Sequence, residues 1–210
     1  MTQNIEVLTH SSIRITGKQI LYVDPFEITK DTHDADIICF THDHFDHFSP
    51  KDIAKVIKED TTLVMPESMA AKAAELSCGS VKTVVPGTRL ELGDIVLEAV
   101  AAYNKWKPFH PKKNGWVGYI FTIDGVRIYV AGDTDSTEEN QAVSCDVAMV
   151  PIGGTFTMDA KKAAALVNII RPKTAIPIHY GSVAGKREAE DVFRAAVDQS
   201  IPVEIKMQRY

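Results

Sequence analysis

The sequence has no apolar run approaching the roughly 18–20 residues of a membrane-spanning helix, and its opening stretch, MTQNIEVLTHSSIRI, lacks the basic-then-apolar order of a signal peptide. These absences argue against a helical membrane protein and lead to the expectation of a cytoplasmic one. Cysteine is scarce: Cys39, Cys78 and Cys145 are far apart and odd in number, which argues against a disulfide framework and against a thiolate zinc site. There is no excess of basic residues either. The formal net charge is -5 and the sequence pI about 5.8, so a broad electrostatic footprint for nucleic acid is not expected. Low-complexity segments, Ser/Gly linkers and repeats are missing as well, and nothing divides the chain. With 45% hydrophobic and 24% charged residues, the composition is that of an ordinary globular protein. One domain over residues 1–210 is the default.

What is present is a succession of strand and helix signals. SIRIT and QILYV flank Gly17-Lys18 and predict a hairpin with a two-residue turn. Ile37–Thr41 reads as a buried strand, and a helix starts after it, with Ser49 as N-cap, Pro50 at the first position and Asp52 in a capping-box-like place. A second helix is predicted at about Glu67–Ser77. RLEL-GD-IVLEAVAAY and WVGYIFTI-DG-VRIYVAG read as two further hairpins, the latter with the Asp124-Gly125 signal of a type I′ turn. The last third predicts a strand at Asp146–Ile152, a helix at Asp159–Ile170, a strand at Thr174–Ile178, a helix at Arg187–Gln199 and a final strand at Val203–Met207. Two β-rich stretches, each followed by helices, predict an α/β protein of four layers, an αββα sandwich.

Chemistry concentrates where apolar strands stop. DIICF runs into Thr41-His42, VRIYVAG into Asp133, and TAIPI into His179, so loops leaving one sheet edge could converge on a single site. In ICFTHDHFDHFSP, His42 and His44 are two apart and point to one side of an extended backbone, while Asp46 and His47 fall where the chain turns into the helix. Imidazole nitrogen with carboxylate oxygen suits zinc, manganese or iron, and the lack of cysteine ligands favours a catalytic over a closed structural site. A two-cation site needs a bridging group. Asp133, in AGDTD, is the candidate; the plainer alternative is that Asp133 and Asp135 only shape a turn. The helix dipole near His47 favours the neutral ring that a metal needs.

THDHFDH followed by AGDTD and PIHYG resembles the H-x-H-x-D-H, Asp and His motif series of the metallo-β-lactamase superfamily, over nearly the whole chain. THSSIRI, YVDPF and PIGGTFTMDAKKAA further resemble its branch of small metal-dependent hydrolases near ascorbate-6-phosphate lactonase and the N-acyl phosphatidylethanolamine-hydrolysing phospholipases. The resemblance implies two divalent metal ions, Zn2+ first and Mn2+ or Fe2+ as alternatives. One would take His42, His44 and a third histidine, the other Asp46, His47 and His179, with Asp133 bridging. His110 matches the third histidine by order and spacing, although it lacks the usual flanking glycine. His10 is a candidate substrate or supporting contact, or else a structural histidine; Tyr180, beside His179, is another candidate contact. His33 reads as a solvated loop residue.

The leading expectation is a hydrolase in which a metal-bridging hydroxide cleaves an ester, lactone or phosphodiester of a small substrate. Asp46 and Asp133 are its candidate catalytic residues. YNKWKPFHPKKNGW places Lys105, Lys107, Lys112 and Lys113 beside Trp106, Phe109 and Trp116, either a mouth for an anionic substrate or a solvated loop anchored by aromatics. A nuclease, a diiron redox protein and a non-catalytic metal-binding protein are the rival readings; a homo-oligomer stays open.

Overall fold

Alternate residues are buried along Ile5–Thr9 and Ile95–Ala101, the pattern of strands that turn one face to a core. Two sheets are built from such strands. The computed structural model describes the backbone of residues 1–210 and every side chain except that of Glu75. One sheet runs, in spatial order, β1 (Ile5–Thr9), β2 (Ser12–Thr16), β3 (Ile20–Val23), β4 (Ile37–Cys39), β5 (Thr62–Pro66) and β6 (Ser80–Val84). The other runs β12 (Thr174–Ile178), β11 (Val147–Pro151), β10 (Val126–Val130), β9 (Val117–Ile123), β8 (Ile95–Ala101) and β7 (Arg89–Leu92). Both sheets are mixed: β3 to β6 are parallel, as are β10 to β12, and the remaining pairs are antiparallel.

The layering follows from where neighbouring side chains go. Along β4, Ile37 and Cys39 join the cluster shared with Leu97, Tyr119 and Phe121 of the facing sheet, whereas Ile38 joins Ile53 and Val56 of α1 (Pro50–Val56) in a second cluster. A strand covered on both faces reads as an unbroken apolar run, which is why IIC carries no alternation. On the far side of the other sheet, Ala163, Leu166 and Val167 of α3 (Ala160–Ile170) and Phe193 of α4 (Ala189–Ala196) close the core. The expected four-layer α/β arrangement is therefore present.

Local departures have local causes. The first hairpin pairs Thr16 with Ile20, so its loop has one residue more than expected. Asp124 and Gly125 both have positive φ, 49° and 77°, as a type I′ turn requires. Ser49 does precede α1, but its hydroxyl donates to the Asp52 carboxylate at 2.7 Å instead of capping a backbone amide. Asp52 in turn accepts the Glu27 and Ile28 amides, tying the loop after β3 to the helix. Glu67–Glu75 is 3-10 helix rather than α-helix, preceded by Pro66 with no capping side chain. The predicted final strand does not form. Val203 bridges to Ala175 of the second sheet and Met207 to Val7 of the first, so the segment strides from one sheet edge to the other and builds a ladder with neither. The sequence reading also passed over β1, β5, β6 and the short α2 (Glu138–Gln141); β6 is mostly exposed and polar, without a buried face to set a period.

Candidate metal centre

Five strands of one orientation per sheet deliver the site. β1 runs straight into His10 and β3 into Asp24; β4 leads through Phe40 and Thr41 to His42; β10 leads through Ala131 and Gly132 to Asp133; β12 runs into His179. His10, Asp24 and His179 leave their strands with φ of 51°, 46° and 58°. Left-handed backbone at a non-glycine residue costs about 1–3 kcal/mol and persists where the surroundings impose it. Here the His179 amide donates to the His10 carbonyl at 2.9 Å, so two of these turns, one from each sheet, hold each other. Gly132 serves the same convergence. It has φ +65°, and a Cβ there would stand 2.9 Å from the Val117 carbonyl oxygen, so the tight approach is to backbone.

Three groups of side chains can each present one atom within 4.8 Å of the others: His42, His44 and His110; His10, Asp46, His47 and His179; and His42, His47 and Asp133. Asp133 lies between the first two. Its Oδ2 is 2.9 Å from His179 Nε2 and 3.2 Å from His110 Nε2, and its Oδ1 is 3.5 Å from His47 Nε2. All of these residues are buried except His44, which is half-buried.

His42, His47 and His110 have their Nδ1 atoms engaged, while several polar atoms facing the centre have no partner. His47 Nδ1 donates to Asp24 Oδ2 at 2.7 Å and His110 Nδ1 to Asn104 Oδ1 at 2.9 Å. His42 Nδ1 meets the Thr41 hydroxyl at 3.0 Å, and that hydroxyl donates to Asp24 Oδ2 at 2.6 Å. With Nδ1 fixed as donor, Nε2 is left with a lone pair aimed inward, the arrangement of metal-ligating histidines. His47 Nε2, His110 Nε2, both ring nitrogens of His179 and Asp133 Oδ1 are buried without a hydrogen-bond partner. A buried polar atom left unpaired costs about 1–3 kcal/mol, and several converging on one point fit a cation that accepts all their lone pairs.

Charge agrees with geometry. Burial and the adjacent His47 hold His42 well below the usual imidazole range; burial and His110 lower His44. Burial and His179 push His10 down to about 4. His47 goes the other way: burial opposes its charge, but Asp133, Asp24 and Asp46 surround it and lift it to about 9. Against its own burial, Asp133 is held well below the carboxylate range by His179 and His47. Asp46, also against burial, falls to about 2 through its bond to His10. Burial raises Asp24, with His47 and Thr41 pulling the other way.

Of the remaining predicted contacts, His10 lies in the centre and the others do not. His10 Nε2 is 3.0 Å from Asp46 Oδ2, in the centre itself. Lys107 is not at a mouth: its ammonium is bound by Asp135 Oδ1 at 3.1 Å and by the Thr157 carbonyl. Lys112 is paired with Glu139 at 2.7 Å. Trp106 is 93% exposed. Tyr180 is buried and donates to Glu190 Oε2, and neither it nor Trp106 lines the cavity above the centre. Trp116, grouped with the lysines by sequence, is buried, its ring centroid 5.0 Å from those of His42 and His44. Sequence reading missed Asp24, although β3 runs into it as the other strands run into their ligands. It also missed Asn104, for which only the structure supplies a signal.

Two mixed sheets face to face, with histidines and aspartates gathered where their parallel strands end, define the metallo-β-lactamase class of folds. A family profile described as the beta-lactamase superfamily domain matches residues 4–179, and the chain belongs to the metallo-β-lactamase superfamily. It is 32% identical over 178 residues to a UPF0173 protein of Pyrococcus abyssi, covering 82% of this chain and 80% of that one. A UPF0173 metal-dependent hydrolase of Methanoregula boonei is 28% identical, with 94% and 91% of the two chains covered. The crystal structure of a proposed metal-dependent hydrolase from Parabacteroides distasonis superposes with a TM-score of 0.81 at 32% identity, covering 97% of this chain and 93% of that one.

Proposed function

We propose that residues 1–210 act as one hydrolase domain whose centre holds two divalent cations, zinc first among them, and cleaves an ester, lactone or phosphodiester of a small substrate. The observation that carries this reading is the set of buried, unpartnered nitrogen and oxygen atoms on His47, His110, His179 and Asp133. His42, His44 and His110 would hold one cation and Asp46, His47 and His179 the other, with Asp133 between them. Cations so held lower the pKa of water and polarise a carbonyl or phosphoryl oxygen. The chain's own part is orientation. Asp46 and Asp133 stay ionised throughout the neutral range and can accept the hydrogen bonds of an attacking water, aligning it with the scissile bond. His10, uncharged at neutral pH, fixes the direction of the Asp46 carboxylate.

The first test is the metal-to-protein ratio by plasma mass spectrometry after dialysis against metal-free buffer, followed by assay of esters, lactones and phosphodiesters. The expected ratio is about two, falling toward one in His110→Ala. A ratio near one in the unaltered chain would overturn the two-cation reading, and none after reconstitution would overturn metal dependence.

A further inference from the structure

The cavity above the centre has a volume of about 430 Å3, within the range of small-molecule sites. Its floor is His44, Asp46, Asp133 and His179; its walls are Phe45, Phe109, Phe156 and Val183. Phe45 is 67% exposed, Phe109 40% and Val183 37%. Phe109 and Phe156 meet edge to face with ring centroids 4.8 Å apart. Among the described residues, no lysine or arginine lines this cavity. Two lysines of the loop that carries Phe109, Lys107 and Lys112, are paired with Asp135 and Glu139. Outside the metal ligands, the cavity therefore offers apolar contact and no charge.

From this we infer that the substrate is an uncharged ester or lactone carrying an aromatic or branched aliphatic group next to the scissile bond, rather than a phosphorylated or carboxylated compound. The inference rests on the hydrolase reading above and narrows it. An apolar group seated against the paired rings of Phe109 and Phe156 is removed from water on that side, worth about 25 cal/mol per Å2, whereas a remote anion would give up its hydration with no cation to meet it. In the reaction the acyl C–O bond breaks and a C–O bond to the water oxygen forms. One water proton ends on the leaving alkoxide, giving a neutral alcohol, and the acid product ionises.

The test uses the metal-loaded chain and a series of p-nitrophenyl esters: acetate, butyrate, hexanoate, benzoate and the hemisuccinate, with p-nitrophenyl phosphate and bis(p-nitrophenyl) phosphate. We expect kcat/KM to rise tenfold or more from acetate to hexanoate, and the hemisuccinate, butyrate's length with one added charge, to be at least tenfold poorer than butyrate. Phe109→Ala and Phe156→Ala should flatten the rise with metal content unchanged, and Phe109→Leu should restore it. A preference for the hemisuccinate or either phosphate would overturn the inference and leave the hydrolase standing. If no substrate turns over at full metal loading, the hydrolase reading fails, and the cavity is judged by binding of the neutral fluorophore N-phenyl-1-naphthylamine. Binding lost in the double variant Phe109→Ala/Phe156→Ala supports the apolar site; no binding to the unaltered chain overturns it.

Discussion

The two halves of the centre are held in different ways. His10 and His179 stand at strand ends, one from each sheet, and hold each other through a backbone bond, while Asp46 and His47, in the turn before α1, are fixed by His10 and by the buried strand-end carboxylate Asp24. His42, His44 and His110 depend on less. His44 is half-buried, and His110 sits in the loop between β8 and β9, where Asn104 accepts from both its backbone amide and its ring at 3.2 and 2.9 Å. Asn104 is itself anchored by donating to the Phe156 carbonyl. A charged acceptor at a strand end and a neutral acceptor in a loop are unequal supports, since hydrogen bonds to an ionised partner are about twice as strong. The better-built half, however, carries the greater obstacle to loading: the carboxylates that fix His47 also keep a proton on it.

The largest effect should come from the residue common to both halves. Asp133→Asn removes the charge that lies within 3.2 Å of His110 and 2.9 Å of His179. We expect both cations to be lost together and hydrolysis to fall on the order of 10^3-fold, beyond the roughly 10–100-fold typical of outer partners. Metal analysis and assay of the same sample check this; a variant that loses only one cation would show that the halves are independent.

The next effect separates the halves by pH. Because His47 in the metal-free protein titrates at about 9, a cation entering its group near neutral pH must expel a proton. Below that pKa the competition strengthens as pH falls, so affinity should rise roughly tenfold per unit, about 1.36 kcal/mol, as pH increases toward 9, and level off above. His42 and His44 are pushed down instead, so their group should show little change over the same range. Competition titrations with a chromophoric chelator at a series of pH values would resolve two slopes, and a single shared slope would break the distinction.

The difference between the halves also marks what could be read in the sequence. Strand-end ligands are legible because an apolar run followed by His or Asp is a local pattern, and THDHFDH, AGDTD and PIHYG all carry it. By the same rule LYVD should have given Asp24, which was passed over. His110 was located by its order and spacing in the chain, since its neighbours KPF and PKK set no period. Asn104 had no signal at all: six residues before its partner, it acts through a loop whose shape depends on Phe156, far along the chain. Alternating burial made Ile95–Ala101 legible, though Ile5–Thr9 alternates as well and was passed over, and the segment Val203–Met207 misled because its alternating sequence is shared between two sheet edges.

The smallest effect compares the two supports directly. Asp24→Asn keeps the shape of the acceptor while removing its charge, and Asn104→Ala removes an acceptor that was never charged. Neither residue belongs to the three convergent groups, so each change should act on orientation and on the basicity of its histidine. Removing the Asp24 charge also weakens the hold of His47 on its proton, which would partly offset the loss near neutral pH. Above the His47 pKa of about 9 that compensation is gone. There, Asp24→Asn should weaken the second group's affinity toward the upper end of the roughly 10–100-fold expected of such partners, and Asn104→Ala the first group's toward the lower end. If Asn104→Ala were the more damaging of the two, the loop and not the strand ends would be the part of the scaffold that decides how the centre is loaded.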